Sequence, residues 1–312
     1  MIRMLCPEPQ NFSEKGLAYA KSKVEFTSQQ INQAEFELRA PEFEAVLIRF
    51  NTQVGSKVMG KNSNLKSVLS PTTGLDHIDF DAAKNHNVDI FHLKGQKKFL
   101  NSISGTAEHT IALMLALLRK IPSSFEAFKT GQWEQGSFRG REVSGKTLGI
   151  VGYGRLGKKV ARIGLAFGMK IAVYDPYIDS FPKNTISYKS FFNLLPEIDI
   201  LSIHVPLLVE TKHLIGLREI ELMKPGSILI NTSRGDVVST QALIKALQSG
   251  HLAGAALDVI DREHCIEKEG HPLIAFAKDN DNLLVTPHIG GSTYESVEKT
   301  DLFILKRFFQ SI

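Results

Sequence analysis

Cysteine is nearly missing from this chain: Cys6 and Cys265 are the two among 312 residues. That excludes a disulfide framework and any thiolate metal cluster, and no metal is expected. Cys6 falls in an expected core strand, and Cys265 in a polar stretch that should be exposed. Charge of one sign is also lacking. Lys and Arg number 37 against 33 Asp and Glu, a dispersed net charge of +4. That balance argues against a nucleic-acid partner. The densest basic cluster, Lys94, Lys97 and Lys98, reads as a solvated loop. Long apolar runs are missing too. The opening MIRMLCPEPQ is no signal peptide, and the apolar stretch 107–118 contains Glu108 and His109 and is too short to cross a bilayer. The expectation is a cytoplasmic protein without a membrane partner.

What is present is ordinary for a globular enzyme: 43% hydrophobic and 22% charged residues. A chain of 312 residues is long for one core and suggests two domains. Short apolar runs at 2–6, 23–26, 45–49, 67–70 and 88–91 read as strands, with helices expected at 14–20, 54–59 and 80–85. Such alternation implies a parallel sheet with helices on both faces. A long apolar helix should cover 106–120, closed by Pro122. Trp133 sits in a polar linker, where it either seals an interface or packs locally.

The stretch TLGIVGYGRLGKKVARIGLAFGMKIAVYD, residues 147–175, organises the remainder. It reads as strand, glycine turn, amphipathic helix, strand and acid. Gly152 permits the tight turn, Gly154 lets backbone approach a pyrophosphate, and Gly157 lets the helix pack on the strand. Arg155 and Leu156 open the helix, whose free N–H groups face the phosphates. Asp175 is placed to accept hydrogen bonds from a ribose. The pattern continues with strands expected at 198–205, 227–232, 254–260 and 283–286, helices at 217–223 and 240–249, and a closing helix at 293–309.

Ligands of open α/β sheets lie beyond the carboxyl ends of strands. Asp175, His204, Arg234, Asp258, Glu263 and His288 accumulate there. A dinucleotide implies hydride transfer, which needs a partner for the hydroxyl proton. Histidine titrates near neutrality, so His288 suits that task, with Glu263 as the carboxylate that orients it. Arg234 could hold a substrate carboxylate bidentately. From chemistry alone, a surface Arg234–Glu263 ion pair with a core His288 stays open.

Further segments carry a resemblance: SPTTGLDHID, TAEHTIALMLALLRK, HVPLLVET, ILINTSRGDVV, GAALDV and TPHIGGST. With the glycine turn they resemble the D-isomer-specific 2-hydroxyacid dehydrogenases, the phosphoglycerate dehydrogenase-like group. The resemblance implies an NAD-dependent enzyme that interconverts a D-2-hydroxy acid and its 2-keto acid. It implies Arg234, Glu263 and His288 as active-site residues, and Asp258 facing the nicotinamide carboxamide. His204, Val205 and Pro206 would line the adenosine side, with Thr211 and Thr232 also on the cofactor. The backbone of Thr73 and Gly74 would meet the substrate carboxylate. It implies a Rossmann-type doubly wound nucleotide domain, 101–287, inserted into a smaller flavodoxin-like α/β substrate domain, 1–100 with 288–312, the cleft between them being the active site. A homodimer is implied through the helix from Thr106 and the Trp133 loop.

The chain departs from the family pattern at two places. His264 follows Glu263 where proline is common, and the substrate turn reads Pro71-Thr72-Thr73-Gly74 rather than a glycine-richer version. With no residues after Ile312, control by serine is not expected. Arg49 resembles the arginine that holds a second anionic group, which would imply doubly anionic acids such as 3-phosphoglycerate; a surface arginine paired with Glu44 or solvent is the alternative. Two rival readings are an NADH-sensing co-repressor of the same fold and a methyltransferase, the latter leaving Arg234, Glu263 and His288 idle.

Overall fold

A computed structural model describes residues 1–263 and 270–312. The chain divides into two compact units, Met1–Ile103 with Ser292–Ile312, and Ser104–Gly291. His264 and Cys265, singled out in the sequence, lie outside the described residues.

The first unit runs β1 (Arg3–Cys6), α1 (Glu14–Lys21), β2 (Glu25–Ser28), α2 (Gln33–Arg39), β3 (Ala45–Leu47), β4 (Ser67–Ser70), α3 (Phe80–Asn85), β5 (Asp89–His92) and α4 (Lys97–Leu100). Among the described residues its strands form one parallel sheet of order β2-β1-β3-β4-β5. That is the flavodoxin-like order. The closing helix, Tyr294–Ser311, buries Ile304, Leu305 and Phe308 among β1, β3 and β4 residues such as Met4, Leu47 and Leu69. Full burial of a side chain the size of Phe308 stabilises by about 1.5–3 kcal/mol. The helix expected at 54–59 is not formed. Val54 instead makes an isolated parallel bridge to Ile78, and turns occupy the residues after it. Gly55 and Gly60, at either side of that run, disfavour a helix.

The second unit opens on α5 (Gly105–Leu118) and α6 (Ile121–Lys129). Pro122 therefore opens a second helix rather than closing the first. Lys120, left-handed at φ 52°, makes the break, and proline is tolerated in the first turn that follows. Then come β6 (Thr147–Val151), α7 (Arg155–Ala166), β7 (Lys170–Tyr174), β8 (Ile186–Ser187), α8 (Phe191–Leu194), β9 (Ile200–Ile203) and α9 (Leu217–Leu222). The remainder is β10 (Ser227–Asn231), α10 (Thr240–Gln248), β11 (Leu252–Leu257), α11 (Pro272–Asp279) and β12 (Leu283–Val285). Among the described residues the parallel sheet has the order β12-β11-β10-β9-β6-β7-β8. This is the doubly wound order, with its switch point between β6 and β9. All five β10 residues and all four of β9 are buried, because helices cover both faces of the central strands. A parallel sheet sends every carboxyl end to one edge, so the residues after β6, β7, β9, β10, β11 and β12 gather there. Among the described residues no helix is long and apolar enough to cross a membrane.

Candidate active site

The glycine turn fits a dinucleotide. Gly152 has φ +91°, and a Cβ there would stand 2.6 Å from the His204 carbonyl oxygen. A Cβ on Gly157 would stand 2.2 Å from the Gly152 oxygen, so only glycine lets α7 start this close to β6. Around Gly154 a Cβ would meet nothing within 4 Å, which leaves room for phosphate beside the start of α7. Arg155 and Leu156 form the first turn of that helix.

Asp175, just past β7, is half-buried. Its carboxylate accepts from the Tyr153 amide at 2.8 Å and the Tyr177 amide at 3.0 Å. These bonds fix the acid beside the glycine turn and leave further lone pairs for ribose hydroxyls. His204 follows β9. Burial pushes its imidazole down to about 4, so it is neutral near pH 7. Its Nε2 lies 2.8 Å from Ser202 Oγ, and its buried Nδ1 has no partner among the described residues. Val205 and Pro206 continue from it, and the Thr211 hydroxyl donates to the Pro206 carbonyl at 2.7 Å.

Arg234 lies in the turn after β10. The Asn231 side chain donates to the Arg234 carbonyl at 2.9 Å, and the Arg234 guanidinium donates to the Ser233 carbonyl at 2.6 Å. Thr232 is buried, its hydroxyl 2.8 Å from that of Thr110 on α5. Gly235 sets the position of this turn. Any Cβ there would overlap Ile260, with the Ile260 carbonyl carbon 1.9 Å away. The Arg234 turn thus abuts the chain leaving β11, three residues before Glu263. The sequence reading took Gly235 only as part of a motif.

Glu263 and His288 meet: His288 Nδ1 lies 2.8 Å from Glu263 Oε1. A carboxylate only accepts, so Nδ1 carries the hydrogen. His288 is half-buried at this pair rather than enclosed in the core. His288 is left-handed at φ 55°, a conformation uncommon for a histidine and found where surroundings enforce it.

Asp258 enforces it. This carboxylate is 2% exposed and accepts from the Thr286 hydroxyl at 2.6 Å, the Ile289 amide at 2.9 Å and the Gly290 amide at 2.7 Å. Its backbone carbonyl accepts from the His288 amide at 2.8 Å. His109 Nε2 lies 3.2 Å from the carboxylate. Burial alone would raise this carboxyl, but bonds from His109, Thr286 and Gly290 outweigh it and hold Asp258 below the usual carboxylate range. The sequence reading missed His109 and Thr286 as partners.

In the first unit, Thr72 to Gly74 form the turn after β4. The Thr72 hydroxyl donates to the Gly74 carbonyl at 2.8 Å and lies 2.7 Å from Ser70 Oγ. Thr73 is exposed, and neither its amide nor that of Gly74 donates to a backbone acceptor among the described residues. Arg49 lies two residues beyond the end of β3 rather than within a strand. Its guanidinium contacts Asp301 at 2.5 Å and Thr300 at 3.2 Å, and stacks 5.1 Å from the Phe12 ring centroid. Glu44, the partner that the sequence suggested for a surface Arg49, pairs instead with Arg3 at 2.9 Å.

Residues 111–290 match the family model described as D-isomer specific 2-hydroxyacid dehydrogenase, NAD binding domain. The chain belongs to that family. It is 34% identical over 294 residues to a hydroxypyruvate reductase of Thermotoga maritima, covering 94% of this chain and 92% of that protein. It is 37% identical over 277 residues to the D-3-phosphoglycerate dehydrogenase of Bacillus subtilis, covering 88% of this chain and 50% of that one. The chain thus spans about half the length of the phosphoglycerate dehydrogenase that it matches. Among solved structures, the D-lactate dehydrogenase of Aquifex aeolicus complexed with NAD and lactic acid superposes with a TM-score of 0.83 at 29% identity, covering 99% of this chain and 96% of that one. This member is an NAD-dependent oxidoreductase of D-2-hydroxy acids, and NAD is its cofactor. The named relatives are dehydrogenases and reductases, so the co-repressor and methyltransferase readings are not favoured.

Proposed function

We propose that the protein reduces a three-carbon 2-keto acid of hydroxypyruvate type, and oxidises the matching D-2-hydroxy acid, with His288 as the acid–base group. The observation that carries this is the 2.8 Å pair between His288 Nδ1 and Glu263 Oε1 at the carboxyl edge of the second unit's sheet. Bound NADH supplies the hydride. His288 Nε2 gives a proton to the keto oxygen as the alcohol forms, and accepts it back in the reverse direction. Glu263 holds the ring in the tautomer that leaves Nε2 facing the oxygen. Arg234 grips the substrate carboxylate. The first unit is then the substrate domain and the second the nucleotide domain.

Arg49 decides the substrate within the class. Its charge is matched by Asp301, which is fully buried, so little positive charge remains for a second substrate anion. The hydroxypyruvate reductase relative, which this chain covers nearly end to end, favours the same choice. NADH oxidation with hydroxypyruvate, 3-phosphohydroxypyruvate, glyoxylate, pyruvate and 2-oxoglutarate tests it. Hydroxypyruvate should give the highest kcat/KM. A preference for the phosphorylated acid by about tenfold, or ~1.4 kcal/mol, would return Arg49 to the role of second-anion ligand.

A homodimer is part of this proposal. Phe125 and Phe128 on α6 are each 57% exposed and Trp133 is 86% exposed, with the Phe128 and Trp133 ring centroids 6.1 Å apart. Contiguous exposed aromatics of this kind mark association surfaces. Sedimentation of Trp133→Ser with Phe128→Ser should give a monomer, and an unchanged mass excludes this surface.

A further inference from the structure

His288 works only if its turn holds the ring still, and that turn is not self-supporting. Its left-handed φ of 55° is imposed by Asp258. Asp258 is in turn gripped by Thr286 and His109. The protons can be counted. The Thr286 hydroxyl has one hydrogen and gives it to Asp258 Oδ1 at 2.6 Å. His109 Nε2 lies 2.9 Å from Thr286 Oγ1 and 3.2 Å from Asp258 Oδ1. Both are then acceptors, so Nε2 carries a hydrogen and donates to the pair. The next residue along α5 does a similar task for the other catalytic turn. The Thr110 hydroxyl donates to the Thr106 carbonyl at 2.7 Å, so the bond of 2.8 Å to Thr232 is donated by Thr232. Thr232 stands two residues before Arg234.

We propose that His109 is a positioning residue for the acid–base step: its Nε2–H locks Thr286 and Asp258, which hold the His288 turn. The adjacent Thr110 braces the Arg234 turn in parallel. Two neighbouring residues of one helix thus tie the proton-transferring strand end and the carboxylate-binding strand end to a single rigid support. The proposal rests on the reading of His288 as the acid–base group. Its chemical requirement is a hydrogen-bond donor at the position of Nε2, not an imidazole charge.

The test separates donor loss from loss of bulk. With hydroxypyruvate as substrate, His109→Leu should lower kcat about tenfold to a hundredfold, the scale for small misplacement of a reacting group. NADH affinity, read by fluorescence titration, should stay within about twofold, because the glycine turn is untouched. His109→Gln restores a donor and should recover most of kcat. Thr110→Val should mainly raise KM for the keto acid, since it loosens the Arg234 side. The isotope effect from deuterated NADH should change in His109→Leu as the misaligned step comes to limit turnover. If His109→Leu fails to fold, Thr286→Ala breaks the same chain one link later and is read by the same split. Wild-type kcat in His109→Leu, or equal losses in His109→Gln and His109→Leu, overturns the proposal. His288→Ala is the companion control. If it keeps wild-type turnover, the acid–base reading fails and this proposal fails with it. If it is inactive while His109→Leu is not, the positioning role alone fails.

Discussion

Asp258 in the second unit and Asp301 in the first are buried to a similar degree, 2% and 0% exposed, yet their surroundings treat charge in opposite ways. Asp258 is met by hydrogen-bond donors, two of them backbone amides, and is held below the usual carboxylate range. Asp301 meets Arg49 and the Ser13 amide and hydroxyl, but burial prevails and pushes its carboxyl up. The difference lies in what each carboxylate has to hold. Fixed backbone amides at a strand end solvate an anion without rearranging, which suits a turn that must present His288 in one pose. Asp301 joins the closing helix to α1 and to Arg49, a structural joint between segments far apart in the chain. On the proposed reading, buried charge serves chemistry in one unit and assembly in the other.

The largest separation between them should appear in stability. Asp301→Asn leaves the Arg49 guanidinium, 13% exposed, without its counter-charge. Breaking a buried pair in this way costs about 3–5 kcal/mol. Urea unfolding of the first unit should register it, with kcat on hydroxypyruvate little changed in the folded protein. Asp258→Asn should show the reverse pattern. It loses one acceptor of the Ile289 and Gly290 amides, so kcat should fall about tenfold to a hundredfold, as for a misplaced reacting group.

Acid titration of stability should separate the pair by sign. The lowered Asp258 carboxyl contributes stability that is present above its ordinary value of 3.8 and is lost as pH falls through its lower folded value. The raised Asp301 carboxyl binds its proton more readily when folded. Its contribution therefore declines as pH rises from 3.8 through its higher folded value. Asp258→Asn should flatten the low-pH loss, and Asp301→Asn should remove the decline above it. Matching pH curves for both variants would erase the distinction.

A third carboxylate sharpens the comparison at the smallest scale. Asp175 is half-buried and accepts two amides, like Asp258, but stands beside the glycine turn. It should favour NAD over NADP by about tenfold, ~1.4 kcal/mol, because it repels a 2′-phosphate. Equal kcat/KM with the two cofactors would remove Asp175 from that role.

Local patterns were legible in the chain, and contacts between distant residues were not. The strands 67–70 and 170–174 and the helix 80–85 lie where their apolar spacing puts them, as Ser67–Ser70, Lys170–Tyr174 and Phe80–Asn85. The 54–59 stretch misled because its apolar residues are held by a bridge between Val54 and Ile78 and not by helical bonds. The helix Gln33–Arg39 was overlooked because it is polar, with Phe36 its buried residue and Asn32 its cap. Within the site, the glycine turn was legible in its own residues, while Arg234, Glu263 and His288 were singled out by strand-end chemistry and by the family resemblance. The grip of His109 on Thr286 spans 177 positions and leaves no local signal. A histidine inside a largely apolar helix was the one available hint. Asp258 was read as a group facing the cofactor, and the bonds it makes to its own chain came only with the fold.

The central claim is that His288, oriented by Glu263, exchanges the proton of a D-2-hydroxy acid. Steady-state NADH oxidation with hydroxypyruvate, comparing wild type with His288→Ala, tests it most directly. Turnover should fall roughly 10²–10⁴-fold in the variant, the scale of a lost acid–base group, while NADH still binds. Wild-type turnover in His288→Ala, with NADH affinity unchanged, would contradict the account.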